Sequence, residues 1–267
     1  MEQFELRGLA LRRIIIQQSM RAHVGHIGSA LSVADIFASL FFNILPPSEQ
    51  KNPGRDRFIL SKGHAALALY STLFLQERIS VEQLNSYCGN NTVLGTHPEH
   101  FLDGVDFSTG SLGQGLSFGV GAALAAKMQN SKRRVFVLIS DAECNEGSIW
   151  EAIMFAAHHK LSNLVCVVDI NGQQAFGKTK DVLNLSPMHP RWQAFDWDTH
   201  IVDGHDERQL TFKLRQLAYE SGPPHVLLAQ TTFGKGVSFM ENQIKWHYWP
   251  LSENEFFQAM KELEGNI

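Results

Sequence analysis

The feature that most constrains this chain is a pair of apolar runs, each ending in an oxygen-bearing side chain. Val135-Phe-Val-Leu-Ile leads into Ser140-Asp141-Ala142-Glu143-Cys144-Asn145-Glu146-Gly147, and after a helical stretch Val165–Ile170 leads into Asn171-Gly172. A strand, a crossover helix and a parallel strand bring both strand ends to one carboxyl edge. Asp141 and Asn171, 30 residues apart in the chain, are therefore expected side by side. Both are hard oxygen donors, and Mg²⁺ takes one or two protein ligands of this kind while phosphate oxygens and water fill its octahedron. The glycine after Asn171 lets the backbone turn so that a carbonyl nearby, that of Gln173, can offer a third oxygen. Alone, an Asp or Asn at a strand end reads more often as a turn former or helix cap. The pair in strand-helix-strand context reads as a metal-diphosphate site.

This segment resembles the thiamine-diphosphate fingerprint, in which Gly-Asp-Gly opens and an Asn-bearing strand end closes a stretch of similar length. The flanks are similar to transketolases. Glu143, Glu146, Gly147, Trp150 and Glu151 match that family's Glu, Glu-Gly and Trp-Glu positions. Gly25-His26-Ile27-Gly28, Asp56 through His64, Thr96-His97-Pro98-Glu99, Gly110-Ser111-Leu112-Gly113-Gln114-Gly115, Asp203-Gly204-His205-Asp206 and His247 match further family motifs in order. The resemblance implies a metal held by Asp141, Asn171 and Gln173, which would be Mg²⁺, with Ca²⁺ or Mn²⁺ able to substitute. It implies thiamine diphosphate contacts at His64, Gly110, Ser111, Leu112, Asp141, Ala142, Glu143, Asn171 and His247. Catalytic and sugar-facing roles would fall to His26, His97, His247 and Glu146.

Full transketolases have three domains, whereas 267 residues suffice for one large α/β domain or two small ones. The match covers only the family's diphosphate-binding part. The expectation is one doubly wound α/β domain over residues 1–267, with a mostly parallel sheet and helices on both faces. The pyrimidine-binding and C-terminal domains would lie on a second chain in an α2β2 heterotetramer. A glutamate that assists cofactor deprotonation in the family would also belong to that chain, so this one alone is expected to be inactive. The implied reaction is transfer of a two-carbon ketol unit from a ketose to an aldose. The alternatives are half of a decarboxylating or acyloin-forming enzyme acting on a 2-keto acid, or a non-catalytic relic of the fold.

Departures from the family pattern fall close to the site. Ser140 and Ala142 replace glycines, which is harmless if Ala142 keeps a negative φ. Gln173-Gln174-Ala175-Phe176 stands where an apolar residue, Gln, Ile and Asp are usual, and Tyr248-Trp249 follows His247 in place of small residues. These changes point to a specialised sugar.

The net charge of −4 and pI near 6.3 leave no electrostatic footprint for nucleic acid, and the short Lys132-Arg133-Arg134 run reads as solvated surface. Three scattered cysteines make neither a disulfide framework nor a zinc site and fit a reducing cytoplasm; Cys166 reads as a buried hydrophobe and Cys144 as weakly reactive. No secretory signal or membrane span is legible.

Apolar spacing predicts an opening helix over residues 2–22 carrying Phe4, Leu6, Leu9, Leu11 and Ile14–Ile16. Ser32 is expected to cap a second helix reaching Leu45 and stopped by Pro46-Pro47. A strand is expected at 57–61, an Ala-rich helix ending at Met128, a helix from Asp206 to about Glu220 and a strand at 226–232. Gly113, Gly115 and Gly119 suit either close helix packing or backbone approach to a ligand, and the resemblance favours the ligand. Of the twelve histidines, His158, His159, His189, His200, His205 and His225 lack ligand geometry, and His23 and His100 have only proximity to a motif.

Overall fold

The computed structural model describes residues 2–45 and 52–265, with side chains from residue 7 onward. The chain opens with α1 (Glu2–Ala22), α2 (Ile27–Ser32) and α3 (Ala34–Ser39), the last running into a wider π turn over Leu40–Ile44. Then come β1 (Arg57–Leu60), α4 (Ala66–Leu75), α5 (Val81–Leu84), α6 (Gly115–Met128), β2 (Val135–Ser140), α7 (Gly147–His158) and β3 (Leu164–Ile170). A small hairpin, β4 (Gln173–Gln174) and β5 (Gly177–Lys178), leads to α8 (Thr179–Val182), α9 (Met188–Ala194), β6 (Asp198–Asp203), α10 (Glu207–Gln216) and β7 (His225–Gln230). The described chain closes with α11 (Lys245–Tyr248) and α12 (Glu253–Glu264).

Five strands form a parallel sheet in the order β1-β2-β3-β7-β6. Its central strands are apolar at nearly every position because their pleat alternates between two cores instead of between core and solvent. Phe136, Leu138, Val165, Val167, Leu227 and Ala229 pack with α1, α3, α4 and α10. Val135, Val137, Ile139, Cys166, Val168 and Leu228 pack on the opposite face with α6 and α7. The register pairs Ser140 with Asp169, so the residues that follow β2 and β3 emerge together at the carboxyl edge. The expected doubly wound α/β architecture is present.

Several local expectations need correction. Ser32 caps no long helix: it is the last residue of α2, and its hydroxyl donates to the Ser29 carbonyl (3.0 Å) and to Asp169 (2.8 Å). An Asp partner draws the serine inward, and the helix breaks at Val33 instead of continuing. Pro46-Pro47, expected to end that helix, lie outside the described residues, as do the side chains of Phe4 and Leu6. Edge strand β6 escapes sequence reading because Asp-Thr-His-Ile-Val-Asp is polar at alternate positions and Ile201 is exposed. Within the basic run, Arg134 is no free surface cation: it grips Asp56 through Nε (2.9 Å) and Nη2 (2.6 Å) and lies over the Tyr219 ring. Cys144 is fully buried, and burial raises its thiol well above the ordinary range, which removes the expected reactivity.

Candidate active site

Asp141 follows β2 directly, and its carboxylate accepts from the Ala142 N–H (2.8 Å) and the Gly172 N–H (2.9 Å). The second bond joins the two strand ends, because Gly172 is the neighbour of Asn171. Gly172 has φ of +73°, a left-handed turn that glycine makes without steric penalty. Asn171 is buried; its Oδ1 accepts from the Gln173 N–H at 3.0 Å and its Nδ2 donates to Asp169 at 2.8 Å. Burial, reinforced by the nearby Asp169 charge, pushes the Asp141 carboxyl up to about 7. A carboxylate so placed gains from a cation. Ala142 and Ser140 are absent from the left-handed region, so the methyl and hydroxymethyl groups that replace the family glycines meet no backbone penalty.

Three imidazoles stand a few residues of sheet edge away. His26, His64 and His247 form a triangle with ring centroids 5.2–5.6 Å apart. His26 holds φ of +61°, unusual for a non-glycine residue, and its N–H donates to the His247 carbonyl at 3.2 Å, so two distant segments pin the strained turn to each other. Burial lowers all three pKa values, His64 well below the ordinary range and His247 to about 4, with neighbouring His and Lys62 charges adding to the effect at those two. The trio is therefore neutral at pH 7 and able to donate and accept hydrogen bonds. His64 Nε2 is engaged by the Ser29 hydroxyl at 2.8 Å, whereas the buried Nδ1 atoms of His26 and His247 have no partner within the chain. Such atoms call for a ligand. Lys62 acts on His64, His247 and Asp141 alike, which places the imidazoles and the strand-end oxygens around one centre.

The remaining expected residues divide between rim and support. His97 is exposed and its ring lies against Gly110, where an added Cβ would approach the imidazole to 3.2 Å. Ser111 and Leu112 are exposed on the same loop. Glu146 is exposed at the start of α7. Glu143 is buried, its carboxyl raised by that burial, and it accepts from Ser61, from Gly113 N–H (2.8 Å) and from Ser140 N–H (3.2 Å). The Gly113 amide is thus already used. Gly115 and Gly119 pack tightly, since a Cβ at either would come within 2.3 Å of Ser61 or Val137. The glycines read as ligand-approaching hold α6 against the sheet in this structure. Gln173 is buried beside Asn171, and its side-chain amide donates to the Asn242 carbonyl (3.3 Å).

With that geometry in place, comparison with known proteins is decisive. A family model described as transketolase, thiamine diphosphate binding domain, matches residues 7–266. The chain belongs to the transketolase family. This transketolase chain is 38% identical over 268 residues to one of the two proteins of similar length that are named as components of apulose-4-phosphate transketolases, that of Phocaeicola vulgatus, spanning 100% of the chain and 95% of that relative. It is 36% identical over 258 residues to the 6-deoxy-6-sulfo-D-fructose transketolase subunit SqwG of a Clostridium species, spanning 95% and 94%. Transketolase from Campylobacter jejuni superposes with a TM-score of 0.91 at 31% identity, over 99% of this chain but 43% of that one. Human transketolase, at 36% identity, is likewise matched over only 41% of its length.

The residues present fit a transketolase cofactor: hard oxygens from Asp141 and Asn171, and unpartnered buried imidazole nitrogens facing the same centre. Among the described residues no group of three or more His, Cys, Asp or Glu side chains could hold a metal. A metal at this edge would depend on one carboxylate, one amide and a backbone carbonyl, with the rest of its shell from elsewhere.

Sequence reasoning passes over Lys62 and Asp169, both fully buried and paired with each other. A carboxylate inside the apolar run Val165–Ile170 is the available signal, because a charge on a buried strand requires a partner. His205 and His225, set aside for lack of ligand geometry, are structural. His225 is buried against Asp198 (2.9 Å), and His205 bridges Asp35 (2.8 Å) and the Thr232 N–H (2.8 Å).

Proposed function

We propose that this chain is the diphosphate-binding subunit of a two-chain transketolase that transfers a two-carbon ketol unit from a ketose phosphate or modified ketose to an aldose acceptor. The observation that carries this reading is the pairing of Asp141 and Asn171 at adjacent strand ends, tied through the Gly172 amide and facing a cluster of neutral histidines. Relatives of nearly equal length named as transketolase subunits on sugars with unusual carbon skeletons or head groups support both the split arrangement and a modified sugar.

In this reading Asp141, the Asn171 side-chain carbonyl and the Gln173 backbone carbonyl hold Mg²⁺, with Ca²⁺ or Mn²⁺ as substitutes. His64, Gly110, Ser111, Leu112, Ala142, Glu143 and His247 surround the diphosphate and thiazolium. Bound thiamine diphosphate supplies the electron sink for the carbon unit in transit. The chain orients the substrate and moves protons: His26 and His247, neutral and one nitrogen short of a partner, receive sugar hydroxyls, while His97 and Glu146 work from the rim. All of the chain forms one diphosphate-binding domain. A second polypeptide brings the pyrimidine-binding and C-terminal domains in an α2β2 assembly, consistent with coverage of 43% of a full-length transketolase. Three free cysteines, and the lack among the described residues of any helix long and apolar enough to cross a membrane, suit action in the cytoplasm.

The test is reconstitution. The purified chain should show no ketol transfer with Mg²⁺ and thiamine diphosphate, and activity should appear when the chain encoded beside it is added. Robust turnover by the lone chain would overturn the split assignment. Turnover of a 2-keto acid in preference to a ketose by the pair would overturn the reaction class.

A further inference from the structure

We infer that Asp169, clamped by Lys62, is a positioning residue that dictates which end of the Asn171 amide faces the cation. The inference rests on the metal-diphosphate reading above and extends it to residues that line no part of the cofactor's contact surface.

Asp169 and Asn171 are two positions apart at the end of β3, so their side chains leave the same face of the sheet. Asp169 continues the series Val165 and Val167, which pack into the core beneath α2 and α3, and the position is completely buried. An ion pair there is a poor way to gain stability, since well-packed apolar residues commonly do as well. Its geometry answers a different need. Oδ2 of Asp169 accepts from Lys62 Nζ, from the Ser32 hydroxyl (2.8 Å) and from Asn171 Nδ2 (2.8 Å), while Oδ1 accepts from the Thr231 hydroxyl. Four donors from α2, the loop after β1, the end of β3 and the loop after β7 converge on one carboxylate.

An ionised carboxylate only accepts, so the only end of the Asn171 amide it can receive is the NH₂. The amide oxygen is thereby turned the other way, toward the Asp141 edge. There it accepts one N–H, from Gln173 at 3.0 Å, and keeps a second lone pair. Without this constraint the two ends of a primary amide are nearly the same size, and a flip would present two N–H donors to a cation. Lys62 completes the device by offsetting the Asp169 charge. With its oxygens filled by four donors, Asp169 does not compete with Asp141 for the metal.

The test measures Mn²⁺ in place of Mg²⁺, by the loss of the free-ion EPR signal on titration into the two-chain complex with thiamine diphosphate. The parent complex should take up the ion. Asp169→Asn should weaken uptake by about 10- to 100-fold, the range for ligand-orienting partners, whereas Thr231→Val, which trims the same hub without touching Asn171, should leave it near the parent value. The double variant Asp169→Asn/Asn171→Asp should recover most of the loss, because a carboxylate presents an oxygen whichever way it rotates. A hub with only a structural role would not give that rescue. If Asp169→Asn alone does not fold with Lys62 left unpaired, the same comparison is made on Lys62→Met/Asp169→Asn with and without Asn171→Asp. Unchanged Mn²⁺ affinity in the Asp169 variants, or no recovery with Asn171→Asp, overturns this inference alone. Absence of Mn²⁺ uptake by the parent removes the metal site and this inference with it.

Discussion

Two buried carboxylates lie on the same side of the sheet, and both gather cations and hydroxyl or amide donors from distant segments. Asp169 takes Lys62, Ser32, Thr231 and Asn171. Asp35, on α3, takes a bidentate grip from Arg12 of α1 and the Nδ1 of His205, which precedes α10. Burial alone pushes the Asp35 carboxyl up, and Arg12 with His205 brings it back down to about 2. The chemistry is similar but the products differ. Around Asp35 every donor is tied off within the fold: His205 Nε2 accepts the Thr232 N–H, and Asp206 beside it caps α10 by accepting from the Arg208 and Gln209 amides. Around Asp169 one donor, Asn171, has a second face that turns toward the Asp141 edge. A buried polar hub is a scaffold when its members end in the fold and a positioning device when one member reaches out of it.

The comparison can be broken most severely at the scaffold. Arg12→Met should lower the unfolding free energy by about 3–5 kcal/mol, the cost of stranding a buried partner, as read from urea denaturation, while Mn²⁺ uptake by the surviving folded protein stays at the parent level. Loss of metal binding in proportion to stability would merge the two hubs into one. At the site the reverse pattern is expected. Asp141→Asn should leave the ligand-free protein about as stable as the parent but abolish the stabilisation by Mg²⁺ and thiamine diphosphate, which at a hundred times the dissociation constant amounts to about 2.7 kcal/mol. Differential scanning calorimetry of the two-chain complex with and without the ligands reads this directly.

A smaller effect is expected on the rim. The Tyr248 hydroxyl donates to the Ala175 carbonyl at 2.6 Å, tying α11 to the β4-β5 hairpin across the face of His247, whose ring centroid is 4.9 Å from that of Tyr248. Tyr248→Phe should cost about 0.5 kcal/mol, the low end for a hydrogen bond at a half-exposed position. Its clearer signature is faster hydrogen exchange confined to residues 173–178.

The weakest effects separate by pH. The folded pKa of His247 is lowered from 6.5 to about 4, so above pH 6.5 the residue is neutral in both states and stability is unaffected by it. As pH falls from 6.5 toward 4 the unfolded chain binds a proton that the folded chain does not, and stability declines. His247→Gln should flatten that part of the profile. Asp35 contributes fully above 3.8 and loses its contribution only as pH falls through about 2. The site should therefore soften before the scaffold does, and coincident transitions in an acid titration would contradict the distinction.

How much of this is legible in the chain depends on how local the cause is. The strands Val135–Ser140 and Leu164–Ile170, the opening helix and the helix ending at Met128 follow from apolar patterning over a few consecutive residues, and the structure reproduces them within a residue or two. Ser32 misleads because its decisive partner, Asp169, is 137 residues away. Strand β6 hides because an edge strand with one neighbour needs little apolar character. Gly113, Gly115 and Gly119 cannot be apportioned between ligand and packing until Ser61, Val137 and Glu143 are seen against them.

By itself, the order of residues determined that Asp141 and Asn171 would meet, since two buried parallel strands joined by one helix have only one edge at which to end. It determined the family as well, through short motifs kept in sequence. Only the tertiary structure decided what those motifs do to one another: that three histidines from residues 26, 64 and 247 close into a neutral triangle, and that Lys62 and Asp169 find each other inside the core. Desolvation and hydrogen-bond geometry depend on which atoms surround a group in space, and nothing in the spacing of residues along a chain specifies that surrounding.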